Sequence, residues 1–189
     1  MQISRAILLL ILFATSVTTW AQDEVPKNIA DSVGASLTHT EARFIEIAEA
    51  MPESKYSFIP TAGAFKDARS FGEQVKHVAC ANIAFFNQIE GKIPPPGCEK
   101  GGPSPAKTKA ELIKYLHDSF DYGNRVLETI NTQNALDRVQ GPYAGPNTKL
   151  GMAVVAVWHV TDHYGQLVEY LRMNGMVPPS TQRYGLAVR

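Results

Sequence analysis

Near the C-terminus the chain reads WHVTDHYGQ, Trp158 to Gln166, with His159 and His163 four residues apart in an otherwise apolar run. Residues at i and i+4 of a helix share one face, about 6 Å apart along the axis. That separation lets two imidazole nitrogens reach one metal ion at roughly 2.0–2.1 Å each. Taken alone, the pair is a weak signal and reads more readily as two hydrogen-bonded or surface histidines. His77 adds a third imidazole, in GEQVKHVACANIAFF, where its own helical face carries Gln74, Cys80, Ala81 and Ala84. Small side chains beside an imidazole leave room for a neighbouring helix or a bound group. By itself His77 would be a hydrogen-bonded core histidine. Supplied from a second helix, it completes the kind of site that bundles build between facing helices. His39, in polar SLTHTEA, and His117, beside Asp118, lie off the apolar stripes and read as solvated.

Three neutral imidazoles leave at least one coordination position open, the pattern of a catalytic rather than a structural zinc site. A metal so held can bring the pKa of a bound water to about 7, or hold a thiol as thiolate. Zinc fits the ligand set best, and nickel, iron or manganese could also occupy it. Several polar residues fall within reach. Gln74 lies one turn before His77, and Gln166 one turn after His163. Asp162 adjoins His163 but points about 100° away on the helix, as a supporting or surface group. Asn82 falls on a side of its helix that otherwise carries Val75, Val78 and Phe85, where a buried amide needs a partner. Tyr143 precedes the last helix and could cap a pocket. No strong general base stands out. Cys80, one turn after His77, has three readings: a fourth ligand that closes the site, a disulfide to Cys98, or a small buried residue with no role.

Four helices must position these groups. The first is expected from about Ser32 to Ala50, with Leu37, Phe44, Ile45, Ile47 and Ala48 apolar, and it stops before Pro52. The second is expected from Asp67 to Glu90, carrying Phe71, Val75, Val78, Phe85 and Ile89, and ends at Gly91. The third opens on a capping box, Thr108 to Glu111, and continues through Leu112, Tyr115, Leu116, Tyr122, Val126 and Ile130. The fourth starts near Thr148 and ends at Asn174-Gly175, with Pro178-Pro179 beyond. From Leu150 to Val160 it is apolar nearly all round, which marks it as the most buried of the set. The intervening stretches are rich in Pro and Gly and show no sustained alternation, so the fold class is all-α, a four-helix bundle with long crossover loops. An α+β fold with a short strand in a loop is the minor alternative.

The first 21 residues, MQISRAILLLILFATSVTTWA, have the form of a signal peptide: Arg5, an apolar stretch from Ala6 to Val17, and a small-x-small site ending at Ala21. Cleavage after Ala21 leaves residues 22–189 as a single domain, periplasmic or secreted, with no stable membrane anchor. Export also favours a Cys80–Cys98 disulfide. With 18 basic and 18 acidic residues and no basic run, the chain offers nucleic acid no electrostatic footprint. A small-molecule substrate or ligand is the partner expected, and a homodimer is left open.

MPESKYSF after the first helix, RSFGEQVKHVA opening the second, the DRVQGP loop and HVTDHYGQLVEYLRMNGMVPP together resemble the DinB-like family of metalloenzymes over nearly the whole mature chain. In that family a histidine of the second helix and an H-x-x-x-H pair of the fourth bind one divalent metal. The matching positions are His77, His159 and His163. The resemblance also implies a four-helix bundle of unusual helix order and, from some relatives, thiol-transfer chemistry. Hydrolysis of a small molecule is equally consistent with the residues. Two rivals stand beside the enzyme: a bundle that binds a metal or small ligand without turnover, and a structural bundle whose histidines are merely buried.

Overall fold

The computed structural model describes residues 25–141, 143 and 147–183, so the expected leader and the cleavage site expected after Ala21 lie outside the described residues. Four long helices dominate: α1 (Ile29–Ala50), α2 (Phe71–Ile89), α3 (Lys109–Leu127) and α4 (Lys149–Met173). Each starts where a short polar side chain can satisfy the free amides of the first turn. Asn28 accepts from the Asp31 amide, Ser70 and Thr108 form full capping boxes with Glu73 and Glu111, and Thr148 accepts from Gly151. The Ser70 box moves the start of α2 four residues beyond the expected Asp67. Asp67 itself has φ of 65°, a left-handed turn residue.

Around the bundle the neighbours run α1, α3, α2, α4, so α1 faces α2 across one diagonal and α3 faces α4 across the other. The chain must therefore cross the bundle after α1 and again after α3, which is the physical reason for its long loops. The first crossing, residues 51–70, is pinned when the Tyr56 hydroxyl donates to the Ala48 carbonyl at 2.7 Å. The second contains a two-residue antiparallel ribbon, β1 (Arg138–Val139) with β2 (Asn147–Thr148), a small strand element inside an otherwise helical fold. A short α5 (Pro179–Arg183), unforeseen in the sequence, begins at the proline expected only as a stop, since proline suits the first helical position. Arg183 closes it onto α1 through Glu46, at 2.5 and 2.6 Å.

The core lies between all four helices and includes Leu37, Phe44, Phe71, Phe86, Leu116, Phe120, Met152 and Leu167. The expectation that α4 is the most buried helix does not hold. α2 is, with residues from Phe71 to Ile89 buried on nearly every side, because α3 and α4 flank it. On α4, Val154 and Trp158 stand 53% and 64% exposed. Among the described residues, no helix is long and apolar enough to cross a membrane.

Candidate metal centre

His77 on α2 meets His159 and His163 on α4 across the seam between the two helices. One ligand nitrogen from each falls within 4.8 Å of the others. Ring centroids are 5.0 Å apart for His77–His159, 4.8 Å for His77–His163 and 4.5 Å for His159–His163. The Nε2 atoms of His77 and His159 approach to 3.1 Å. Two nitrogens bound to one tetrahedral ion at roughly 2.0–2.1 Å lie about 3.3 Å apart, so this spacing fits.

A carbonyl can only accept, so the 2.6 Å contact between His77 Nδ1 and the Cys98 carbonyl puts the proton on Nδ1. The lone pair of Nε2 is then free to face its partners, and the ring orientation is fixed from behind. Cys98 is held there by a disulfide to Cys80, one turn along α2 from His77. The fourth-ligand reading of Cys80 therefore falls: its sulfur is in a covalent bond and has no thiolate to give. The turn around Cys98 is closed by the Gly102 amide donating to the Gly97 carbonyl at 2.9 Å. Gly102 has φ of 69°, and a Cβ there would collide with the Cys80 sulfur, so only glycine fits.

Burial is the main reason all three imidazoles resist protonation. His159 is pushed down to about 3 by desolvation, then by His163 and His77. His163, only 6% exposed, is pushed down to about 4 by desolvation and by His77. His77 is also lowered, with desolvation outweighing the Cys98 carbonyl. At neutral pH the cluster is thus uncharged and offers lone pairs. The Nδ1 atoms of His159 and His163 are buried without a hydrogen-bond partner in the protein. Three neutral imidazoles that bring ligand nitrogens together in this geometry fit a divalent cation.

Two of the glutamines anticipated in sequence brace the seam. Gln74 Nε2 donates to Gln166 Oε1 at 2.7 Å, joining α2 to α4, and Gln166 Nε2 donates to Asp162 Oδ2 at 2.9 Å. Asp162 is exposed and acts on His163 through its charge. Asn82 goes elsewhere. Its amide donates to the Ser119 hydroxyl of α3 at 3.3 Å, on the side of α2 that faces away from the imidazoles, so it is no part of the site. His39 and His117 are exposed and distant from the cluster; His39 Nε2 accepts from Arg43.

A cavity of about 250 Å³ opens beside His77 and His159, walled by Ala81, Ala84, Phe85, Tyr143, Val155 and Trp158, with Glu99 at its edge. Tyr143 stands edge-on to Phe85 at 6.1 Å. Ala81, Ala84 and Tyr143 are where the sequence leaves room for a bound group or a cap, whereas Phe85 and Val155 carry the signature of core residues and give no such signal. Arg69 gives none either; its guanidinium donates to the Glu99 carbonyl at 2.9 and 2.7 Å and its charge lowers the pKa of every imidazole of the cluster.

The sequence model of the DinB superfamily matches residues 36–167, a span that includes all three histidines. A crystal structure titled as a conserved protein from Enterococcus faecalis shares the fold, with a TM-score of 0.57 at 17% identity. That likeness covers 75% of this chain and 94% of the other. Among curated proteins, none matches the chain.

Proposed function

This chain belongs to the DinB superfamily, and from that premise we propose that it is a metal-dependent enzyme acting on a small molecule, with His77, His159 and His163 as ligands. The observation that carries the reading is the convergence of three neutral imidazoles from two helices with no thiol left to close the set. A divalent cation bound there, zinc by the chemistry of the ligands, supplies Lewis acidity at an open position.

The chain's own groups do the rest. The Cys98 carbonyl holds the His77 tautomer, and the Gln74–Gln166–Asp162 chain locks α2 against α4 so that the three rings keep their spacing. Glu99 both lines the cavity and acts on His77 through its charge, which makes its carboxylate the group to take a proton from an attacking nucleophile. Thiol transfer to an electrophile and hydrolysis are the two reaction classes that suit this equipment. Export through a cleaved leader is part of the reading, and the Cys80–Cys98 disulfide supports it, since such bonds persist in oxidising compartments. Balanced charge speaks for a small-molecule partner rather than nucleic acid.

The test is a panel of chromogenic esters and of thiol–electrophile pairs, run on zinc-loaded protein. Turnover should vanish in the His159→Ala/His163→Ala variant and fall by about 10²–10⁴ in Glu99→Gln, the range of general-base catalysis. Turnover that survives loss of the histidines would overturn the reading. A non-catalytic metal-binding bundle is the second reading, favoured by one observation: no Asp or Glu is buried among the described residues. Stoichiometric metal with no turnover on any class would select it.

A further inference from the structure

We infer that the cavity beside the imidazoles takes a compact ligand with a flat apolar body and one anionic, metal-binding head. The inference rests on the metal reading above and names the substrate class for that same site.

Size comes first. Ligand pockets usually enclose about 300–1,000 Å³, so at about 250 Å³ this one holds a single ring with its head group and little more. A peptide-sized polar thiol does not fit inside it. The walls then set the chemistry of the body. Ala81 and Ala84 form a shallow apolar side on α2, while Val155 and Trp158 face them from α4. Phe85 stands edge-on to His159 at 5.2 Å and 81°, and Tyr143 edge-on to Phe85 at 85°. Upright rings of this kind accept a further flat ring in edge or offset contact. At the mouth, Trp158 is 64% exposed and Tyr143 40% exposed, so two aromatic faces meet water that an apolar ligand would displace.

The head follows from charge. The His77 and His159 rings line the cavity, and Arg69, whose guanidinium donates to the carbonyl of Glu99, another lining residue, brings a positive charge near it. A divalent ion on the imidazoles, with that guanidinium held at Glu99, favours a monoanionic donor. Glu99 at the edge repels a second negative charge. A monoanion with a short aryl body meets all of these conditions.

Benzohydroxamate and acetohydroxamate carry the same metal-binding head and differ in the apolar body, and neither reduces the disulfide. Their dissociation constants would be measured by calorimetry on zinc-loaded protein, with the absorption of cobalt-loaded protein reporting contact with the metal. Benzohydroxamate should bind at least about ten-fold more tightly, the worth of burying one ring face. Trp158→Ala should shrink that ratio by removing a wall, and Val155→Trp should abolish it by filling the space, both with metal content unchanged. Equal affinities for the two probes at full metal loading, or a preference that survives Val155→Trp, would overturn the ligand class while leaving the metal site standing. Failure to load metal at all would remove the metal reading and this inference together, and metal analysis before titration tells the two failures apart.

Discussion

The two flanks of α2 hold polar side chains on very different terms. Toward α3, Asn82 and Ser119 are fully buried, with a hydrogen bond between them and a second from Ser119 to the Leu116 carbonyl. Toward α4, the polar groups are imidazoles with unpartnered nitrogens, beside a cavity and small alanines. The first flank closes its space around the Asn82–Ser119 hydrogen bond and leaves one side-chain atom, Asn82 Oδ1, without a partner. The second keeps open space and imidazole nitrogens without a partner in the protein, beside lone pairs that a cation would take up. One helix thus carries a structural face and a functional face, and substitutions on the two should fail differently.

The largest effect on folding belongs to the α3 side. Phe86→Ala, at a fully buried ring, should cost about 3–5 kcal/mol in urea unfolding, and the protein that remains folded should bind metal as before. Metal affinity falling in step with stability would erase the distinction between the faces.

Next comes the clamp behind His77. Replacing both Cys80 and Cys98 with serine opens a bond spanning 18 residues, worth about 3 kcal/mol of stability by loop entropy. The same change frees the Cys98 carbonyl from its place, so zinc affinity measured by competition should fall about 10–100-fold, the usual effect of losing a ligand's outer partner. Unchanged affinity would show that the carbonyl contact does not orient His77.

Acid should find the imidazole face first. In metal-free protein His159 and His163 have folded pKa values of about 3 and about 4, below the ordinary 6.5 that the unfolded chain retains. Their contribution to stability is therefore complete above pH 6.5 and is lost as pH falls toward 4 and 3, because only the unfolded chain takes up the protons. The urea midpoint of chelator-treated protein should drop between pH 7.5 and pH 5, and His159→Ala/His163→Ala should flatten that slope. The smallest change is Asn82→Ala, which removes one long hydrogen bond toward α3. It should cost about 1 kcal/mol and leave metal affinity alone.

How much of this was legible in sequence depends on whether the signal was local. The spacing of His159 and His163 is a helical repeat, and the four helices follow from periodicity and stop signals. Which helices touch is not local. The bundle order α1, α3, α2, α4 decides that α2, not the more uniformly apolar α4, is buried on most sides. It also decides that Asn82 turns to Ser119 instead of to the histidines. The start of α2 at Phe71, not Asp67, has a local and readable cause, the Ser70–Glu73 capping box. The carbonyls of Cys98 and Glu99 had no signal at all, since backbone groups carry no side-chain identity; they reach His77 and Arg69 only because a glycine-rich turn and a disulfide fold residues 97–102 back on α2.

The central claim is that the α4-facing side of α2 is a metal site, and elemental analysis tests it most directly. The protein would be purified without chelator or affinity tag, beside His159→Ala/His163→Ala, and both would be quantified for zinc, nickel, iron and manganese. The account expects about one divalent metal per chain in the wild type and none in the variant, with both proteins folded. Wild-type protein that holds no metal even after incubation with zinc or nickel would contradict it, and His77, His159 and His163 would then be core residues of a metal-free bundle.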